Sequence, residues 1–133
     1  MKYYFDTSVW IAYFNENEPY HQEALLWFDK IRKEKHELYI SNLVDCEIKD
    51  TPYNKDYLHL SRKYCKAIAF TEESKLEAKF YSKRLRFHWA DIGHILLAKK
   101  NDLTAVTIDI HHWPKIAREF NFEVKFITEI HPR

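Results

Sequence analysis

Glycine is almost missing from this chain. One residue, Gly93, stands where average usage of about 7% would place roughly nine. A single glycine cannot build a GxGxxG dinucleotide turn, a GxxxxGK[ST] phosphate loop or a GxSxG nucleophile elbow, so those three chemistries are excluded. Cysteine is scarce as well. Cys46 and Cys65 make no CxxC pair and no disulfide framework, which points to a reducing, cytoplasmic setting. Long apolar runs are lacking: Tyr3-Tyr4-Phe5 is cut short by Asp6, so neither a signal peptide nor a membrane span is expected. Charge of one sign is not in excess. With 21 Lys and Arg against 20 Asp and Glu, the net charge of +1 is too small to hold nucleic acid by bulk attraction, although a local basic groove remains open.

What is present is a folding composition. Aromatic residues make up 17% of the 133, and a chain of this length buries about two thirds of its unfolded surface. We expect one domain over residues 1–133. Short apolar strands alternate with helices. Strands are expected at Tyr3–Phe5, Leu38–Ile40, Ala105–Ile108 and Val124–Ile127. The first helix follows a Thr7 or Ser8 cap and runs from Val9 to Phe14. Tyr20, Ala24, Trp27, Phe28 and Ile31 then fall on one helical face. Asn42 is expected to cap a short helix from Leu43, and Thr71 a longer one through Leu76, Phe80 and Leu85. Residues 53–70 fit a helix only loosely. Further helices are expected over about Ala90–Lys100 and Pro114–Phe120. The alternation predicts an α/β fold, with a largely parallel sheet and helices on both faces.

Four acids stand apart from the solvated rest. Asp6 and Asp109 directly follow expected strands, where ligands of parallel α/β sheets bind. Glu47 shares the apolar face of its helix with Leu43 and Val44, an unusual place for a carboxylate. Asp91 lies in the first turn of its helix, on the side of Ile95. Two carboxylates about 5 Å apart repel by about 3 kcal/mol at an effective dielectric of roughly 20, so a cluster needs protons or a cation. Oxygen-only ligands suit Mg²⁺ or Mn²⁺, and such ions can activate water against a phosphodiester. Taken singly, each acid also reads as a cap, a turn residue or a dipole partner. Asp45, two positions before Glu47, should point away from that cluster.

In order along the chain, four segments resemble the motifs of the PIN-domain family. They are Phe5-Asp6-Thr7-Ser8, Ser41-Asn42-Leu43-Val44-Asp45-Cys46-Glu47-Ile48, Trp89-Ala90-Asp91-Ile92 and Val106-Thr107-Ile108-Asp109. Small members of this length are often VapC-type toxins of type II toxin–antitoxin pairs. The resemblance implies a PIN-like fold and a metal-dependent endoribonuclease acting on tRNA, rRNA or mRNA. It assigns Asp6, Glu47, Asp91 and Asp109 to the catalytic Mg²⁺ or Mn²⁺ site, with Thr7, Ser8 and Thr107 as supporting hydroxyls. It further implies a cognate antitoxin protein and a homodimer. Trp10, Tyr13 and Trp27 are the interface candidates. Residues Asp50–Phe70 depart from the longer helical arm of many members, which bears on antitoxin contact and RNA choice.

Other chemistries fit the sequence less well. His88, His94, His111 and His112 flank the acids, but no HExxH or paired Cys/His spacing supports zinc, and surface or loop histidines are expected. A phosphoaspartate enzyme would need a second aspartate where Ser8 stands. Two basic groups, Arg62, Lys63 and Lys66, and Lys79, Lys83, Arg84 and Arg86, read as solvated faces or as an RNA path. A non-catalytic PIN-like module binding RNA or protein is the alternative that keeps the fold.

Overall fold

The computed structural model of the chain describes residues 1–130. Apolar, β-branched and aromatic runs form five parallel strands: β1 (Lys2–Phe5), β2 (Glu37–Ser41), β3 (Lys66–Ile68), β4 (Thr104–Thr107) and β5 (Lys125–Phe126). Their order across the sheet is β3-β2-β1-β4-β5. The register sets Tyr4 beside Tyr39 on one side and Ala105 on the other. Seven helices connect the strands: α1 (Thr7–Phe14), α2 (His21–Lys33), α3 (Asn42–Ile48), α4 (Asn54–Tyr64), α5 (Glu72–Leu85), α6 (Trp89–Lys100) and α7 (Trp113–Glu119). α1 to α4 pack among themselves, as do α5 to α7, giving a helical layer on each face of the sheet.

Strand order reverses at β1. The chain steps outward from β1 to β3 and then returns to place β4 on the opposite side. The crevice beyond the carboxyl ends of β1 and β4 is therefore the switch point, where doubly wound sheets bind ligands.

Several local expectations are corrected. Asp6, not Thr7 or Ser8, precedes the first turn of α1, and its side chain makes no cap bond. Ser41, not Asn42, caps α3 by accepting from the Val44 amide. Asn42 instead clamps the loop before α5: its Nδ2 donates to the Phe70 carbonyl and its Oδ1 accepts from the Phe70 amide. The ambiguous 53–70 stretch resolves into α4 and the short edge strand β3. β4 begins and ends one residue earlier than expected, and the last strand is two residues followed by a 3₁₀ turn, Ile127–Glu129. Leu76 and Phe80 face outward, 68% and 54% exposed, because α5 packs through Ala78. Trp10 and Trp27 are 0% and 2% exposed, so they belong to the core and cannot form a dimer interface. Tyr13 stays half-buried.

Four residues other than glycine take left-handed backbone angles: Lys35, Arg86, Asp102 and Asn121. All lie just past helix ends, where glycine usually serves. The one glycine has a different task. A Cβ on Gly93 would come within 2.9 Å of the Phe70 ring and 3.3 Å of Leu43, so its absence lets α6 approach both. Gly93→Ala should lower the thermal midpoint. Overpacking costs about 1–3 kcal/mol, against about 1 kcal/mol gained in helix propensity. A midpoint at or above wild type in a melting experiment would mean that Phe70 moves aside freely.

Candidate functional site

Asp6 ends up at the switch point because β1 pairs with β4 up to and beyond Phe5: the Asp6 amide donates to the Val106 carbonyl at 3.0 Å. Its carboxylate is almost fully buried. Oδ2 accepts the Thr107 and Ser8 hydroxyls, both at 2.8 Å. No hydrogen bond from a described residue reaches Oδ1. Burial raises the Asp6 carboxyl above the ordinary aspartate value, and the neighbouring Asp91 charge adds to the rise. The nearby His94 imidazole and the two hydroxyls oppose it without cancelling it.

Glu47 reaches the same region from α3. Burial alone would raise its carboxyl, but hydrogen bonding and charge from His94, then the Thr7 hydroxyl, hold it below the usual glutamate value. Thr7 donates to Glu47 Oε1 at 2.7 Å, and His94 Nε2 donates to the same oxygen. His94 is 1% exposed, correcting the expectation of a surface or loop histidine. Its Nδ1 pairs with the Tyr4 hydroxyl at 2.6 Å, and Tyr4 pairs with Ser41 at 2.8 Å. A closed polar chain thus runs from β2 through β1 and α6 to α3 and α1. The sequence signal was available: His94 sits inside Ile92–Ala98, a wholly buried stretch of α6 in which a polar side chain must find partners.

Asp91 is anchored by Trp113, whose Nε1 donates to Oδ1 at 3.1 Å; the same indole lies against the His94 ring. Asp109 reaches the correct end of β4, but its carboxylate turns into its own loop. Oδ1 accepts the His111 and His112 amides, both at 2.9 Å, and Oδ2 meets His112 Nδ1 at 3.2 Å. Burial would raise the Asp109 carboxyl; these donors outweigh it and bring it below the ordinary value. Its backbone remains tied to the site, since the Asp109 amide donates to Thr107 Oγ1. Asp45 is turned away, bonded to Tyr57 and Arg62 of α4. The structure therefore gathers Asp6, Asp91 and Glu47 around His94 and leaves the Asp109 carboxylate aside.

Among the described residues, no three His, Cys, Asp or Glu side chains converge tightly enough to hold an ion at once. The donor chemistry nonetheless fits a hard divalent cation. Both His94 nitrogens are engaged, which leaves carboxylate oxygens, and Asp6 Oδ1 carries no hydrogen bond from a described residue.

Comparison with known proteins agrees with the fold. A family model described as PIN domain matches residues 3–119. No curated protein matches in sequence. Among solved structures, VapBC2 from Rickettsia felis, bound to a DNA fragment from their promoter, is 17% identical with a TM-score of 0.69, covering 95% of this chain and 98% of that one. FitAcB from Neisseria gonorrhoeae is 18% identical at 0.64, covering 98% and 100%. VapC20 from Mycobacterium tuberculosis, a sarcin-ricin loop cleaving toxin, is 16% identical at 0.66, covering 99% and 100%.

A carboxyl that ionises less readily in the folded chain than in the unfolded one weakens the fold. That loss sets in above the unfolded aspartate value of about 3.9 and is complete above the raised folded one. Asp6→Asn should therefore raise the melting temperature in metal-free buffer at pH 7 by about 3–6 °C, the shift expected from roughly 1 kcal/mol. The gain should vanish below about pH 4. Melting curves across pH in EDTA check this; equal or lower stability at pH 7 would count against a strained Asp6.

Proposed function

The chain belongs to the PIN-domain family, and from that premise we propose that it is a divalent-metal-dependent endoribonuclease, the toxin of a toxin–antitoxin pair. One observation carries this reading most: a nearly dry aspartate with an unbonded oxygen, beside Asp91 and Glu47, at the switch point of a parallel sheet. Support for RNA as substrate and for an antitoxin partner comes from the structural neighbours, among them a toxin that cleaves the sarcin-ricin loop and the VapBC2 assembly. The RNA class extends over tRNA, rRNA and mRNA. Among the described residues, no helix is long and apolar enough to cross a membrane.

Asp6, Glu47, Asp91 and Asp109 are the proposed holders of Mg²⁺ or Mn²⁺. When bound there, such an ion supplies a more acidic water and charge stabilisation at a phosphodiester oxygen. The residues around it supply position. Thr107 and Ser8 fix the Asp6 oxygen that faces the protein, so Oδ1 presents outward. Thr7 and His94 fix Glu47 in the same way through Oε1. Trp113 limits the rotation of Asp91. The Asp109 carboxylate is turned into its own loop by the His111 and His112 amides, so for it to hold an ion these bonds would have to be exchanged for the metal.

Titration of Mn²⁺ by calorimetry, with RNA cleavage followed on the same samples, tests the proposal. Wild type should bind and cleave; Asp6→Asn should lose binding and at least about 100-fold in cleavage. Thr107→Val keeps every carboxylate but removes one of the two hydroxyls on Asp6 Oδ2 and the acceptor of the Asp109 amide, and should lower Mn²⁺ affinity about 10–100-fold. Folded wild type that neither binds metal nor cleaves RNA would leave the alternative, a PIN-like binding module without catalysis.

A further inference from the structure

The two basic groups of the sequence have separate fates. Arg62 pairs with Asp45, Lys66 with Glu37, and Lys63 lies over the Tyr64 ring. In the second group Arg84 lies over the Phe80 ring, whereas Lys79 and Lys83 line up with Lys75, a lysine outside that group. Four residues apart on α5, they share one helical face, and none forms an ion pair with a described residue. Lys75 Nζ stands 5.4 Å and Lys79 Nζ 5.5 Å from the centre of the Trp89 ring. Phe70 lies nearly parallel to the indole at 6.3 Å, and His88 at 6.0 Å. Phe70 cannot shift far, since it is wedged against Gly93 and clamped at its backbone by Asn42. Trp89 is half-buried and opens α6 two residues before Asp91. His88 lies near enough to Glu47 for its charge to bear on that carboxylate.

We propose that Trp89, with Lys75, Lys79 and Lys83, forms a subsite for single-stranded RNA leading into the acidic site, one base stacking on the indole while the lysines take flanking phosphates. The subsite rests on the ribonuclease reading above. Lys75 and Lys79 lie over the indole, so a base stacking there takes their place as they swing onto its flanking phosphates; stacking accepts any base. The lysines need not break an ion pair to take a phosphate. From Lys75 to Lys83 the helix rises about 12 Å, enough for more than one phosphate. An acidic peptide would match the lysines but gives the indole no role; nucleic acid uses both.

The test is fluorescence anisotropy of a short labelled single-stranded RNA in EDTA, where no metal-dependent cleavage enters. Trp89→Ala should weaken binding about 5- to 150-fold with an unchanged salt slope. Lys75→Gln with Lys79→Gln should weaken binding and reduce the slope of log Kd against log salt by about 1.4. Trp89→Phe keeps a ring against Phe70, and should retain most of the affinity while reporting that the fold survives. Affinities of the folded variants within about twofold of wild type would overturn the subsite. So would equal displacement of the RNA by polyglutamate. Cleavage with Mn²⁺ is scored separately. Cleavage with unchanged KM in folded Trp89→Ala removes the subsite and leaves the nuclease reading. Trp89-dependent binding without any cleavage keeps the subsite and removes the nuclease reading.

Discussion

A carboxylate at the exit of the central strand is held almost out of water by two hydroxyl groups, and the rest of the molecule is arranged around that demand. The pairing of Phe5 with Val106 fixes Asp6 beside Thr107. A slip of one residue between β1 and β4 would turn the side chains to opposite faces and separate them. Thr107 has two tasks as a result. Its hydroxyl donates to Asp6 and accepts from the Asp109 amide, so one side chain ties the end of β1 to the loop leaving β4. The parallel sheet is thus the device that sets carboxylates from distant parts of the chain against each other.

A second device works through α6. This helix is buried along nearly its whole length, yet it carries His94 in the middle. Unpaired, that ring would be costly; paired at both nitrogens, it joins α6 to β1 through Tyr4 and to α3 through Glu47. Glu47 is therefore held from two directions, by α1 through Thr7 and by α6 through His94. Gly93, next along the helix, permits the close approach to Phe70 on which the Trp89 surface rests. Packing and chemistry meet within two adjacent residues.

The strand and helix alternation was readable because its apolar runs are distinct, and the positions of Asp6 and Asp109 followed from it. Glu47 stood out because its helical face is otherwise apolar. Other features had weaker signals. β3 is a three-residue edge strand, half-exposed, and α4 buries only Tyr57 and Ser61, so neither has a clear period. Ser41 and Asn42 are both good caps for α3, and only the tertiary contact of Asn42 to Phe70 distinguishes them. Trp10 and Trp27 looked like surface anchors by residue type; the core needed their volume. The burial of His94 has no spacing signature, since it rests on hydrogen bonds to Tyr4 and Glu47 from distant parts of the chain. The direction of the Asp109 carboxylate depends on loop amides that no periodicity reveals.

The near-absence of glycine also acts on the chain before it folds. Every position with a side chain has fewer backbone conformations to give up, and each glycine replaced at a compatible site is worth about 0.4–1 kcal/mol through the unfolded state alone. Roughly eight fewer glycines than average usage therefore stiffen the unfolded ensemble by an amount comparable to a substantial share of a small domain's net stability. Strain of similar size works against it, since left-handed turns at Lys35 and Arg86 each cost about 1–2 kcal/mol without glycine, and less at Asp102 and Asn121, whose side chains suit that conformation.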